Sequence, residues 1–558
     1  MKKLDQKLRQ IQGKPYGYYQ KLAGPIRFPF GTLKFEHIQT DPYAPFSRLL
    51  FLWPHQEAHY PADWVAQPVD RIGLGDFLAR RLYTAFSDLA PQDSTGQGGR
   101  FRFPRPDGRI VERGSVQYKT EGWEIRFGVG LPSEGRIIEA DSARTLLLDQ
   151  LPWALQSSLA LQESWKAEAQ EHIDLYRDQL EHAQICAKKG LIAFIPNGAL
   201  LPRASGLSEL PMSSDRVIPF QAPESLLESF QLSSGRRVEG LGLKKGIHLI
   251  TGGGFHGKST LLQALSQGIY PHTNQDGRSF VYIEPASSYV MAKSGRCVAG
   301  TNVSPWINRL PSGIDSASFS TLNASGSTSQ AAGVVEALQA GSKVLLMDED
   351  TSAANYLVRN ALMHQLLEGF SEPITPYIYR VKMLKNKVGV STIIVASGLG
   401  DFLPLCDTVI ALEGYKPQDL TSRAHELNKE GKAAPQLAEV PGGLGRKPGY
   451  KVLKTLAPKE KVRMRNMGSI LLGEQILDAQ DVEQIPGEGQ WHYLASLLHQ
   501  VYSTEKVWSP TELETLVREK LEGFSASLGE PKAEWEKVSY LHLRQLLSRC
   551  PLGCWLSD

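Results

Sequence analysis

Apolar and polar positions follow two different rhythms along this chain. Up to about residue 140, short stretches alternate residue by residue. "GSVQYKTEGWEIRFGVGL" (114–131) does so, as expected of a strand with one face in a core. "DFLARRLYTAFSDL" (76–89) instead repeats at helical spacing. The two together predict an α+β domain. "LALQESWKAEAQEHIDLYRDQLEHAQICAKK" (159–189) lacks Pro and Gly and is rich in Ala, Leu, Glu and Gln. Leu159, Leu161, Trp165, Ile173, Leu175, Leu180 and Ile185 fit one buried side of a long helix or helix pair that links domains. We place the first domain, with this connector, at 1–189.

Residues 190–240 are rich in Pro, Gly and Ser and read as loops with short strands. A strict alternation follows. Strands are expected at "GIHLITGGG", "RSFVYIE", "KVLLMDED", "VSTIIVAS" and "CDTVIALEG". Helices are expected at "KSTLLQALSQGI", "TSQAAGVVEALQAG" and "ANYLVRNALMHQLLEGF". Short apolar runs between amphipathic helices predict an α/β domain over 190–440, with a largely parallel sheet covered on both faces. A small mixed or helical domain with a basic entry segment completes the chain at 441–558.

"GGGFHGKS" fits the phosphate-loop pattern G-x-x-x-x-G-K-[ST] through Gly252, Gly257, Lys258 and Ser259, with a strand before it and a helix after it. In such a loop, Gly252, Gly253, Gly254, Phe255, His256 and Gly257 turn their backbone N–H groups toward an anion, and Thr260 continues into the helix whose N-terminus adds partial positive charge. The glycines permit left-handed turns. Lys258 is expected to reach the β- and γ-phosphates of ATP, and the Ser259 hydroxyl to ligate Mg²⁺. His256 reads as a spacer lending its backbone N–H.

"KVLLMDED" ends a buried strand in Asp348, Glu349 and Asp350. Asp348 is expected to hold Mg²⁺, directly or through water, and Glu349 to orient the attacking water. Asp350 fits either the metal's water shell or an exposed turn. Before this strand, "ASGSTSQ" (324–330) puts Ser325, Gly326 and Ser327 at a helix start, a second anion-binding arrangement.

The order of these parts resembles the ABC ATPases, whose signature opens a helix shortly before the acidic strand. "SAAN" (352–355) resembles their D-loop. The strings "GGGFHGKSTLLQAL", "NASGSTSQAAGVVEAL", "VLLMDEDTSAANYLVRN", "EPITPYI" and "STIIVASGLGDFLPLCDTVIAL" look like the predicted ATPases of the ABC class. "HIQTDPYAPFSRL" (37–49) and "NGALLPRASGLSELPM" (197–212) do so too. The resemblance implies an ABC-type P-loop core with N- and C-terminal accessory domains. It also implies ATP hydrolysis by a homodimer, in which each signature completes the partner's site. Some relatives are associated with RNA.

The sequence departs from the ABC pattern in places. Ser397 stands where most members carry a γ-phosphate-contacting His. It can donate a hydrogen bond but cannot carry the imidazole's charge, which implies slow turnover. Glu284 occupies the Q-loop place and fits either the metal's water shell or a structural role. Phe230 lies where the adenine-stacking aromatic is expected, but an apolar core position suits it better.

Charge changes the picture only locally, since 61 Lys and Arg face 59 Asp and Glu. "RKPGYKVLKTLAPKEKVRMRN" (446–466) holds eight Lys or Arg against one Glu, a footprint that suits RNA or DNA as well as a solvated linker. "YRVKMLKNK" (379–387) reads as a solvated face. "RFRFPRPDGR" (100–109) suits either stacked bases or an ordinary strand. Five scattered cysteines argue against a disulfide framework and for a reducing, cytoplasmic setting. The start of the sequence has no secretory pattern, and no apolar run reaches the roughly 20 residues that span a bilayer. The alternatives are a nucleotide-gated scaffold with negligible turnover, a P-loop kinase, which the signature disfavours, and a transporter ATPase, which the large extra domains disfavour.

Overall fold

The computed structural model describes the chain except residues 206–207, 209, 311–312, 360–364, 367–371, 428–435, 438–450, 453–461, 504–509, 523, 525–531, 550–554 and 557–558. By contacts it divides into one unit of Met1–Arg177 with Phe524–Lys537, and another of Asp178–Gly523 with Val538–Asp558. The division falls inside the helix Glu163–Lys188.

The first unit is built on an antiparallel sheet in the order Pro25–Phe28, Gly31–His37, Ser47–Pro54, Gly122–Gly130 and Arg100–Arg102. Val116–Tyr118 also pairs with Gly122–Gly130. The alternation of 114–131 thus resolves into two paired strands. The helix Pro68–Ser87 carries a capping box between Gln67 and Asp70, which satisfies two orphan donors at its start. Trp53, Trp64, Trp123 and Trp165 fill the core. Phe101 packs against Phe86 and Phe127 while Arg100 and Arg102 stay exposed. The rings of "RFRF" therefore face inward, as in an ordinary half-buried strand.

The second unit carries the sheet on which the sequence motifs lie. Its elements are β1 (Ile247–Gly252), α1 (Lys258–Gln267), β2 (Ser287–Tyr289), α2 (Gly326–Ala340), β3 (Val344–Asp348), β4 (Ser391–Val395), β5 (Thr408–Glu413) and β6 (Lys416–Asp419). The strand order is β2-β3-β4-β1-β5-β6. Every neighbouring pair is parallel except the β5–β6 hairpin. The central strands are buried throughout, and their side chains alternate between two cores. Leu345 and Met347 enter one, Val344 and Leu346 the other. A sheet covered on both faces needs such continuous apolar strands.

Two elements differ from the sequence reading. "RSFVYIE" is a strand only over Tyr282–Ile283, and it joins a separate antiparallel sheet with Leu191–Pro196, Arg237–Lys244 and Leu227–Gln231. The edge of the parallel sheet is instead β2, whose first residues are two serines. No apolar run announces that strand, because its buried hydroxyls are satisfied by polar partners. Gln484 donates to Ser287 Oγ, and Gln545 and Ser342 bond Ser288 Oγ. In "ANYLVRNALMHQLLEGF" a helix covers Ala354–Leu357, Val358 is extended, and most of the remainder lies outside the described residues.

C-terminal to this sheet lie an antiparallel sheet of Val462–Asn466, Ser469–Leu472 and Gln475–Asp478 and the helices Glu488–Ser503, Pro510–Glu522 and Tyr540–Ser548. No helix among the described residues is long and apolar enough to cross a membrane.

Candidate nucleotide site

The strand order brings the sequence motifs to one edge. β4 lies between β3, which ends in the acids, and β1, which ends in the phosphate loop. Asp348 pairs in register with Val395, so the residue after Asp348 meets the turn after β4. The Glu349 carboxylate accepts from the Ser397 amide at 2.7 Å and the Gly398 amide at 3.2 Å. Ser397 Oγ lies 3.4 Å from the Gly252 carbonyl. Ser397 thus stands between acid and loop, and its backbone holds the acid more firmly than its hydroxyl touches the loop.

The loop turns through positive φ at Gly252 (129°), Phe255 (62°) and Gly257 (91°). One left-handed position thus falls on a phenylalanine, not on a glycine as expected, at a steric cost of about 1–2 kcal/mol. Phe255 is 99% exposed. At Gly252 a Cβ would sit 2.3 Å from the Leu412 carbonyl oxygen, and at Gly257 one would sit 3.0 Å from the Tyr415 ring. Gly253, Gly254 and Ser259 are exposed, and Gly252, His256, Gly257, Lys258 and Thr260 are partly covered. Lys258 Nζ donates to the carbonyls of Gly252 (2.9 Å) and Gly253 (2.7 Å).

His256 uses its side chain as well as its place in the loop. Its Nδ1 lies 3.1 Å from the Gly414 amide and 3.2 Å from the Leu412 carbonyl. It accepts from the first or donates to the second according to tautomer, and either bond clips the loop to the β5–β6 turn.

Asp348 is buried, and its Oδ1 accepts from the Asp350 amide. Asp350 itself is exposed. Burial, and then the Asp348 charge, push the Glu483 carboxyl above the ordinary range. Glu284 accepts from the Ala286 amide at 3.4 Å, at the end of the separate antiparallel sheet.

Ser325 caps α2, its Oγ accepting from the Thr328 amide and bonding Thr328 Oγ1 at 2.9 Å. Gly326 and Ser327 form the first turn. Their neighbours are tied to the chain around them. Ser329 Oγ accepts from the Lys293 amide. The buried Gln330 donates to Ser352 Oγ and accepts from the Ala353 amide, both at 2.8 Å. Sequence reading took Gln330 only as the start of a helix, and no local signal shows that it holds the "SAAN" segment.

A fully buried charge cluster braces the same helix. Arg296 donates to the Ser329 carbonyl and to Glu336, and Arg549 donates to Asp481 and pairs with Glu336 at 3.5 Å. Burial would raise the Asp481 carboxyl, but Arg549 and Arg296 hold it below its ordinary value.

Phe230 is 3% exposed. His182, Phe194 and the Lys189 ammonium enclose its ring, which makes it a core residue. Of the basic segment 446–466, residues 446–450 and 453–461 lie outside the described residues, while Arg463 and Arg465 are exposed on one strand. In "YRVKMLKNK", Arg380 is buried against the Pro305 carbonyl and Lys385 pairs with Asp407.

Comparison with known proteins places the chain by family. A P-loop domain model of the ABC ATPases matches residues 165–441. A second model, described as the N-terminal part of ATPases of the ABC class, matches 1–162. An uncharacterized protein of Methanocaldococcus jannaschii is 33% identical over 250 residues, covering 43% of this chain. The chain spans about half the length of that relative, 54%. The solved cbiO1 of Clostridium perfringens, described as part of the ABC transporter complex cbiONQ, is 20% identical. That match covers 35% of this chain and 86% of cbiO1 at a TM-score of 0.21, too loose a superposition to bear on function.

Proposed function

This chain belongs to the ATPases of the ABC class, and from that premise we propose that it binds ATP with Mg²⁺ and hydrolyses it as a homodimeric clamp on RNA or DNA. The observation that carries the reading is the Glu349 carboxylate held on two backbone amides beside the phosphate loop. A carboxylate fixed there can orient a water for attack on a γ-phosphate seated in that loop.

In this reading the loop amides and Lys258 take the phosphates, with Lys258 exchanging its carbonyl partners for phosphate oxygens. Mg²⁺ would be held by Ser259 and Asp348, hard oxygen donors that suit it. When bound it supplies charge neutralisation across the phosphates. The exposed Ser325, at the capped start of α2 with Gly326 and Ser327, would press on nucleotide held by the partner copy. Residues 190–440 then act as the engine, with 1–189 and 441–558 as the parts it moves. The cytoplasm is the setting this reading assigns.

Glu349→Gln tests the assignment. It should abolish steady-state phosphate release and trap ATP on a dimer, read by sedimentation. Unchanged release would remove Glu349 from the mechanism. Nucleic-acid contact is tested by crosslinking with and without ATP. Equal labelling after charge reversal of Arg463 and Arg465 would discard that strand as a contact.

A second reading, a nucleotide-gated scaffold with negligible turnover, draws on Ser397, whose hydroxyl only grazes the loop. A steady-state rate well above background would reject it.

A further inference from the structure

We propose that Tyr415, in the turn between β5 and β6, is the platform on which the nucleotide's base stacks, so that base recognition comes from the C-terminal side of the phosphate loop. This inference rests on the reading of Gly252–Ser259 as a nucleotide site. A nucleoside triphosphate held there needs an apolar surface for its base within one nucleotide's length of the loop. The aromatic on the strand upstream does not supply it. Phe230 is 3% exposed and enclosed by His182, Phe194 and Lys189, so a base could reach its ring only by dismantling that core.

Tyr415 meets the need. It is 50% exposed, and its ring edge stands 3.0 Å from where a Cβ on Gly257 would be. The ring therefore lies directly against the last glycine of the loop. Its backbone is left-handed, with φ at 67°, an uncommon state for a bulky residue and one that the surrounding structure must enforce. The enforcement is visible. The next residue back, Gly414, is bonded to His256 of the loop itself. The His256 side chain thus ties the stacking ring and the phosphate cradle into one piece, and the distance between base and phosphate subsites is fixed before ligand arrives. Stacking on a tyrosine is tolerant of base identity, so the site should prefer nucleotides over bare phosphate more strongly than it prefers one purine over the other.

Calorimetric titration of the full chain with ATP and with inorganic tripolyphosphate tests the assignment. Tyr415→Ala should weaken ATP about tenfold and leave tripolyphosphate unchanged, while Tyr415→Phe keeps the wild-type ATP affinity. Two results would overturn it: full ATP affinity in Tyr415→Ala, or an equal loss for both ligands, which would mean that the ring only props the loop. An unmutated protein that binds neither ligand would reject the phosphate-loop reading itself, and this inference with it.

Discussion

The loop Gly252–Ser259 and the segment Ser325–Ser327, the two nucleotide contacts of the proposed reading, both open helices in one sheet domain, yet they are built in opposite ways. The loop is open. Gly253, Gly254 and Phe255 face solvent, it turns through three positive-φ residues, and Lys258 rests on its own carbonyls. The signature is closed. Ser325 caps a helix whose next residues, Thr328 to Ala337, are all buried. Gln330 and Arg296 bind that helix to the "SAAN" segment and to charged residues of the C-terminal region. The difference teaches a division of labour. An open, strained loop is suited to take up a ligand. A capped and cross-braced helix is suited to move as a rigid piece and transmit force.

The comparison breaks most plainly if the two motifs fail to separate binding from turnover. Lys258→Ala should weaken ATP about 10- to 100-fold by calorimetry. Ser325→Arg should leave that affinity intact and cut phosphate release about a hundredfold. Matching effects of the two variants would mean that the motifs are not opposing parts of one site.

Acid should reach the loop side next. His248 on β1 is buried, with Nε2 2.8 Å from the Lys244 carbonyl, and burial pulls its imidazole down to about 4 from 6.5. The nearby Asp407 opposes that shift and Lys385 adds to it. The unfolded chain takes up the proton first as pH falls, so stability is full above pH 6.5 and is lost as pH approaches 4. The loss should be about 3 kcal/mol, measured by denaturant melts, and His248→Gln should flatten it.

On the signature side, Gln330→Ala strips partners from the Ala353 amide and Ser352. It should destabilise by about 1–2 kcal/mol and slow turnover while sparing ATP affinity. The smallest effect is expected at Phe255. Replacing it with Gly relieves a left-handed phenylalanine but loosens the unfolded chain, so melts should show a gain under about 1 kcal/mol.

What could be read in the sequence was what is contiguous. Strand, loop and helix around Gly252–Ser259 follow one another, as do β3 and its acids, and local pattern suffices for both. What could not be read depends on partners far along the chain. His256 meets residues 156 and 158 positions away. β2 is a strand of serines only because Gln484 and Gln545 arrive to satisfy it. Phe255 fills a glycine's conformation, and no periodicity reports φ. The capping serine was legible, because Ser before a small-residue helix states its own reason.

The buried cluster beside α2 has a consequence for anyone who trims this protein. Arg296 and Arg549 balance Glu336 and Asp481 one for one, all out of water. A protease cut or a stop codon that removes Arg549 leaves two carboxylates sharing one guanidinium in a dry interior, a state costing several kcal/mol. Shortened versions should therefore lose more than a tail. The damage would enter through the helix that Ser325 caps, far from the cut in sequence, and would register as a fault in the engine.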